Sequence, residues 1–364
     1  MIRNFLPFVF FLISFQAFSQ NDVGVIWMGF EHEWTYNHRL NRLGDYIEQP
    51  EFEGYDHPVK HYHTGATGLG WDDALFSSYY NIIKSDKIGF QSGFVDIKLE
   101  NKEGQRAYVK KKVSLPLQSN LKNKDQIVGL LNGFDLVAID GADKLKTLSI
   151  DISDPIYNYD KSRVDFIVEV GFIANCGSFE CHRFNQTYNY TIKVQYLLIA
   201  GNRADFFGTE KSFIKTYEWD KHDTFEDGMV NETVRGYTGF PIATIGFKSI
   251  MVNMDRDHWL VNWHTAIHPQ FYDETTGNFE FAIDLLLQQW KKSTSPMKIV
   301  SRFSKRKDGW AYLDGSVVLL QFKDACLETK SRFGSLNWKG RNKEADNNDA
   351  INVERFRVKA GCDN

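Results

Sequence analysis

The stretch KSIMVNMDRDHWLVNWHTAIHPQF, residues 248–271, reads as two β-strands. Ile250, Val252 and Met254 alternate with Ser249, Met251, Asn253 and Asp255, and Trp259, Val261 and Trp263 alternate with Leu260, Asn262 and His264. A two-residue period of this kind marks a strand with one face covered. The polar run Asp255-Arg256-Asp257-His258 predicts a hairpin turn, with Asp at the first turn position and Asp255 opposite His258. In that register Met254 faces Trp259, Val252 faces Val261 and Ile250 faces Trp263 on the buried side. The other side collects Asp255, His258, Asn262, His264 and, further along, His268.

Outward from this stretch the β signal repeats. VGVIWMGF, residues 23–30, is a continuous apolar run suited to a strand buried on both faces. Residues 31–73 are rich in His, Gly, Tyr and acids without a sustained period and read as irregular, with short helices at 36–47 and 73–83. GFVDIKLE and RAYVKKKVSL flank a glycine-containing turn and predict a hairpin. KTLSIDIS, RVDFIVEVGFI, TYNYTIKVQYLLIA and SFIKTYEW follow as further strands, and NFEFAIDLLLQQW reads as strand in its first half and helix in its second. MKIVSRFSK, GWAYL, GSVVLLQFKDACL and INVERFRVKA complete the series.

Many short strands separated by turn residues predict an all-β protein, an antiparallel β-sandwich or jelly roll with minor helices. The polar segment 219–238 divides an N-terminal β-sandwich region, 21–218, from a C-terminal β-rich region, 239–364, as two packed sandwiches, and a single large domain is the alternative.

The first twenty residues, MIRNFLPFVFFLISFQAFSQ, have one basic residue, an apolar run and a small or polar end, the layout of a secretory signal peptide cleaved near residue 20. The run is too short to span a membrane, no second long apolar run follows, and a secreted or periplasmic protein with no transmembrane segment is expected. In an exported chain four cysteines read as disulfides, Cys176 with Cys181 across a short loop and Cys326 with Cys362 at the C-terminal end. A net charge of −4 disfavours nucleic acid as a partner.

Two constellations carry candidate chemistry. His258, Asn262 and His264 on one sheet face would suit a polysaccharide lyase or hydrolase, the amide and a cationic imidazole holding a uronate carboxylate while a His or Tyr moves the proton. Tyr237, Tyr272 and Tyr312 are the candidate proton donors. His61 and His63 flank one residue in DHPVKHYH, and with His57 or Asp56 they would form a site for zinc or another divalent metal. The plainer account of each is a wet sheet surface and a polar loop. Basic residues Lys110, Lys111 and Lys112, and Arg302, Lys305, Arg306 and Lys307, suit either an anionic glycan or the charged edge of a sheet. The expected function is therefore action on extracellular polysaccharide. The alternatives are a non-catalytic glycan- or surface-binding protein using exposed Trp and Tyr, and a structural or adhesion component of the cell envelope.

Overall fold

Residues 242–273 do not turn at Asp255. In the computed structural model they form one strand, β12 (Ile242–Asp273), 32 residues long. The described residues are 23–35, 73–102, 106–138, 144–158, 160, 162–175, 187–219, 226–290, 309–337 and 353–360. The physical reason for the continuous strand lies in its neighbours. The first half hydrogen-bonds to β14 (Gly309–Phe322) on one side and β6 (Lys144–Ile152) on the other, while the second half takes β13 (Asn278–Trp290) and β1 (Val23–Thr35). Both edges are thus paired by other strands, and the run Asp255-Arg256-Asp257-His258 contains no glycine to favour a tight reversal. The inward alternation of the first half holds: Ile250, Val252 and Met254 are buried, opposite Gly315, Leu313 and Ala311 rather than opposite their own chain.

The remaining elements are β2 (Asp73–Lys84), β3 (Gly89–Lys102), β4 (Ala107–Pro116), β5 (Gln126–Ala138), β7 (Ile156–Tyr157), β8 (Arg163–Asn175), β9 (Thr187–Gly201), β10 (Phe206–Trp219), β11 (Glu226–Arg235), β15 (Cys326–Asn337) and β16 (Val353–Ala360). All pairings are antiparallel, and the chain is an all-β sandwich fold. Two helix expectations fail. Residues 73–83 belong to β2, and residues 278–290 are strand throughout. β2 pairs along its length with β1 and β15, and β13 with β11 and β12, so long-range pairing overrides the local pattern in both. The hairpin expected between GFVDIKLE and RAYVKKKVSL is also absent: β3 pairs with β9 and β4 with β8.

A 13-stranded sheet runs β16-β15-β2-β1-β12-β6-β8-β4, with β10, β14, β11, β13 and the short β7 branching from it, and a 3-stranded sheet runs β3-β9-β5. Strands from both sides of 219–238 share the larger sheet, since β1 pairs with β12 and β2 with β15. β9 is covered on both faces: Ile192, Val194, Tyr196 and Leu198 join one apolar cluster, and Leu197 and Ile199 join another. β14 does likewise, with Leu313, Val317 and Leu319 in the first and Val318, Leu320 and Phe322 in the second. β1 is buried without interruption from Ile26 to Gly29. Gly29 follows a bulge at φ 122°, and a Cβ there would lie 2.0 Å from the Thr265 carbonyl, so only glycine lets β1 meet β12 this closely.

No helix among the described residues is long and apolar enough to cross a membrane. The segment 1–20, the helix expected at 36–47 and the basic run 302–307 lie outside the described residues.

Candidate functional site: an aromatic and polar sheet face

β14 passes from a doubly covered half to a half with one open face. In GWAYLDG, Ala311 and Leu313 point into the core, so Trp310, Tyr312 and Asp314 occupy the opposite face. Trp310 is 37% exposed, and its ring lies 4.6 Å from that of Tyr312 with the planes tilted by 44°. The registers of β10, β12 and β6 extend this face sideways. Thr216, Tyr312, Asn253 and Thr147 stand in one row across four strands. Ile214, Asp314, Met251 and Ser149 form the next row, and Ser212, Ser316, Ser249 and Asp151 the one after. Rows on one face are roughly 7 Å apart and strands about 4.8 Å apart, so the patch has the footprint of a few sugar rings.

Its polar groups are partly tied together. Thr147 donates to Asn253 Oδ1 at 2.9 Å, and the Ser249 and Ser316 hydroxyls are 3.0 Å apart. Asp314 sits between the apolar side chains of Ile214 and Met251, and burial holds its carboxyl above the usual aspartate range. Asp151 is raised as well, chiefly by burial, which the nearby Lys248 opposes and the surrounding acids reinforce.

The far end of the face is marked by a bulge. The β12–β14 register shifts between Phe247 and Ser249, making Lys248 the extra residue. Its ammonium is buried, donating to Glu210 at 2.5 Å and Asp154 at 2.7 Å. Desolvation lowers the Lys248 pKa, but these two hydrogen bonds and the negative charges of Glu210 and Asp154 together outweigh it and hold the group above the ordinary lysine value.

The sequence-derived candidates fall elsewhere. His258 lies opposite Leu145 of β6, Asn262 opposite Glu33 and Gln288, and His264 opposite Glu31 and Leu286. Without the hairpin, Asp255 and His258 do not close a turn. An extra residue between Leu260 and Asn262 in the pairing with β13, and an irregularity between Asn253 and His258 in the pairing with β6, interrupt the backbone alternation on which a shared face depended. His57, His61, His63, Cys176, Cys181 and Cys362 lie outside the described residues, and Cys326 is the first residue of β15. Among the described residues no three His, Cys, Asp or Glu side chains are grouped to hold a metal ion.

The tyrosines separate. The Tyr272 hydroxyl donates to the Tyr237 carbonyl at 2.9 Å and accepts from Gln321 Nε2 at 2.7 Å. Burial raises its pKa, and its place is in a clamp through which the buried Gln321 also holds the Tyr237 backbone. Tyr312 alone of the three belongs to the aromatic face. The lysines of β4 read as a charged sheet edge: Lys110 pairs with Glu169 at 2.5 Å, Lys112 with Asp165 at 3.4 Å, and Lys111 donates to the Asp96 carbonyl at 2.8 Å. The signal for the aromatic face was present in the sequence as the Trp310, Tyr312, Asp314 alternation, but nothing local indicated which of the two strand faces would stay open. Comparison with protein-family models, with curated proteins and with solved structures finds no match for this chain.

Proposed function

We propose that this is an exported glycan-binding protein that lays extracellular polysaccharide across the open face of β10, β14, β12 and β6. The observation that carries the reading is the exposed Trp310 packed against the half-buried Tyr312, in register with Asn253, Ser149 and Asp314 on one sheet face. Sugar rings offer apolar C–H faces that pack on aromatic rings and hydroxyls that exchange hydrogen bonds with amide, hydroxyl and carboxyl groups. Export rests on the leader-like segment 1–20.

The test is affinity electrophoresis through gels containing neutral, uronic, sulfated or amino polysaccharides, followed by calorimetry with oligomers. Retardation by at least one polymer is expected. Trp310→Ala and Tyr312→Ala should each weaken oligomer binding by roughly 5- to 30-fold, or about 1–2 kcal/mol. A wild-type protein unretarded by every polymer overturns the reading. A lyase or hydrolase centred on His258, Asn262 and His264 is the alternative. It would reveal itself as unsaturated or shortened products that disappear in His264→Ala.

A further inference from the structure

Building on the glycan-binding reading, we infer that the saccharide carries free primary amines, and that Asp314, together with the ring of Tyr312, receives the ammonium group. Among the described residues the Asp314 carboxylate has no hydrogen-bond or ion-pair partner. Its cross-strand neighbours on the face are Ile214 and Met251, neither able to donate, and along β14 it stands two residues from Tyr312 and two from Ser316. A carboxylate lacking a partner one row from the Tyr312 ring, which itself packs against Trp310, is an arrangement that recognises an organic cation: the acid supplies charge and the tyrosine π face supplies cation–π attraction.

The surrounding charge points the same way. Lys248, the cation near Asp151, is already engaged by Glu210 and Asp154, and Lys110 by Glu169. Lys146, at the irregularity beside Thr147, belongs to β6, two strands from Asp314. Asp151 adds a second acid one row away from Asp314 and two strands over. A uronic or sulfated chain laid over Tyr312 would bring anions against Asp314 with no free cation on β10, β12 or β14 described beside it. An amino sugar polymer would bring the complementary charge. The chemical class is thus a polymer of deacetylated hexosamine.

The experiment is calorimetry of the full-length mature protein at low salt with three oligomers of equal length: fully deacetylated hexosamine, its N-acetylated counterpart, and a neutral glucan. The pH is kept below the pKa of the sugar amine and above that of Asp314. The deacetylated oligomer is expected to bind about tenfold more tightly than the other two. Asp314→Asn should erase that preference while retaining affinity for the neutral oligomer, and Trp310→Ala should weaken all three. Equal affinity for all three oligomers would overturn the amine assignment and leave glycan binding standing. A preference that survives in Asp314→Asn would overturn it too, as general attraction of a polycation to an acidic protein. Failure of every oligomer to bind would overturn the glycan reading itself. Circular dichroism of each variant separates lost recognition from lost folding.

Discussion

Lys248 donates its ammonium to the Glu210 carboxylate at 2.5 Å from the extra residue of a β-bulge, so a buried cation on β12 is tied to an acid on β10, with β14 between the two strands. Asp154 is the second acceptor, but it is 81% exposed, so solvent screens most of its share. Lys248→Ala is expected to cost about 1–2 kcal/mol, mostly through the lost packing of its stem, and Asp154→Asn much less. The pKa of Lys248 is raised, so the folded chain holds its proton more tightly than the unfolded chain. That contribution is fully present below the ordinary lysine value and is lost as the pH rises through the raised one. Denaturant melts at neutral and strongly alkaline pH check this: the gap between wild type and Lys248→Ala should shrink in alkali, and a constant gap would refute the electrostatic part.

Asn81 joins three strands. Its Nδ2 donates to the Thr244 hydroxyl of β12, and its Oδ1 accepts from the Thr329 hydroxyl of β15 at 2.6 Å, with Asn81 and Thr244 fully buried and Thr329 half-buried. Asn81→Leu leaves the buried Thr244 hydroxyl without this partner and should destabilise by about 2–4 kcal/mol. Chemical denaturation measures it. A loss under about 0.5 kcal/mol would mean that the network is satisfied some other way.

Asp314 makes a separate prediction about pH. Its carboxyl is held above the ordinary range by burial, so the folded chain binds this proton more strongly than the unfolded one. Stability contributed by this group therefore falls as the pH rises from the ordinary aspartate value, about 3.9, through the raised value. Asp314→Asn should melt at a slightly higher temperature than wild type at neutral pH and at the same temperature near pH 3. An increment identical at both pH values would show that charge is not the cause.

Cys326 opens β15, and Cys362 follows by two residues in the sequence the end of β16, the strand paired with β15. A Cys326 to Cys362 bond is expected. In the loop-entropy picture its closed loop would stabilise the fold by roughly 4 kcal/mol. Peptide mapping without reductant should find the linked peptide, and thiol labelling of Cys326 in the native oxidised protein would refute it.

Much of the fold was legible in the sequence because burial writes itself into alternation. Ile250, Val252 and Met254 were identified as core from period alone, and the run 23–30 as a strand covered on both faces. What failed was partner choice. The two-residue period says that a segment is a strand and is silent about what hydrogen-bonds to it, so Asp255-Arg256-Asp257-His258 read as a turn although both its flanks are paired elsewhere. The same gap made a hairpin of β3 and β4 and a helix of β2.

The sequence by itself determined the class of fold, the inward faces of its strands and an N-terminal segment with the pattern of an export signal. Only the tertiary structure decided which outward faces remain open. The outward side of β14 is covered at Val318, Leu320 and Phe322 by the second apolar cluster, whereas Trp310 is exposed and Tyr312 and Asp314 are half-buried. That difference arises from contacts between residues far apart in the chain. Local alternation cannot encode it, because it depends on which other layer of the sandwich reaches each row.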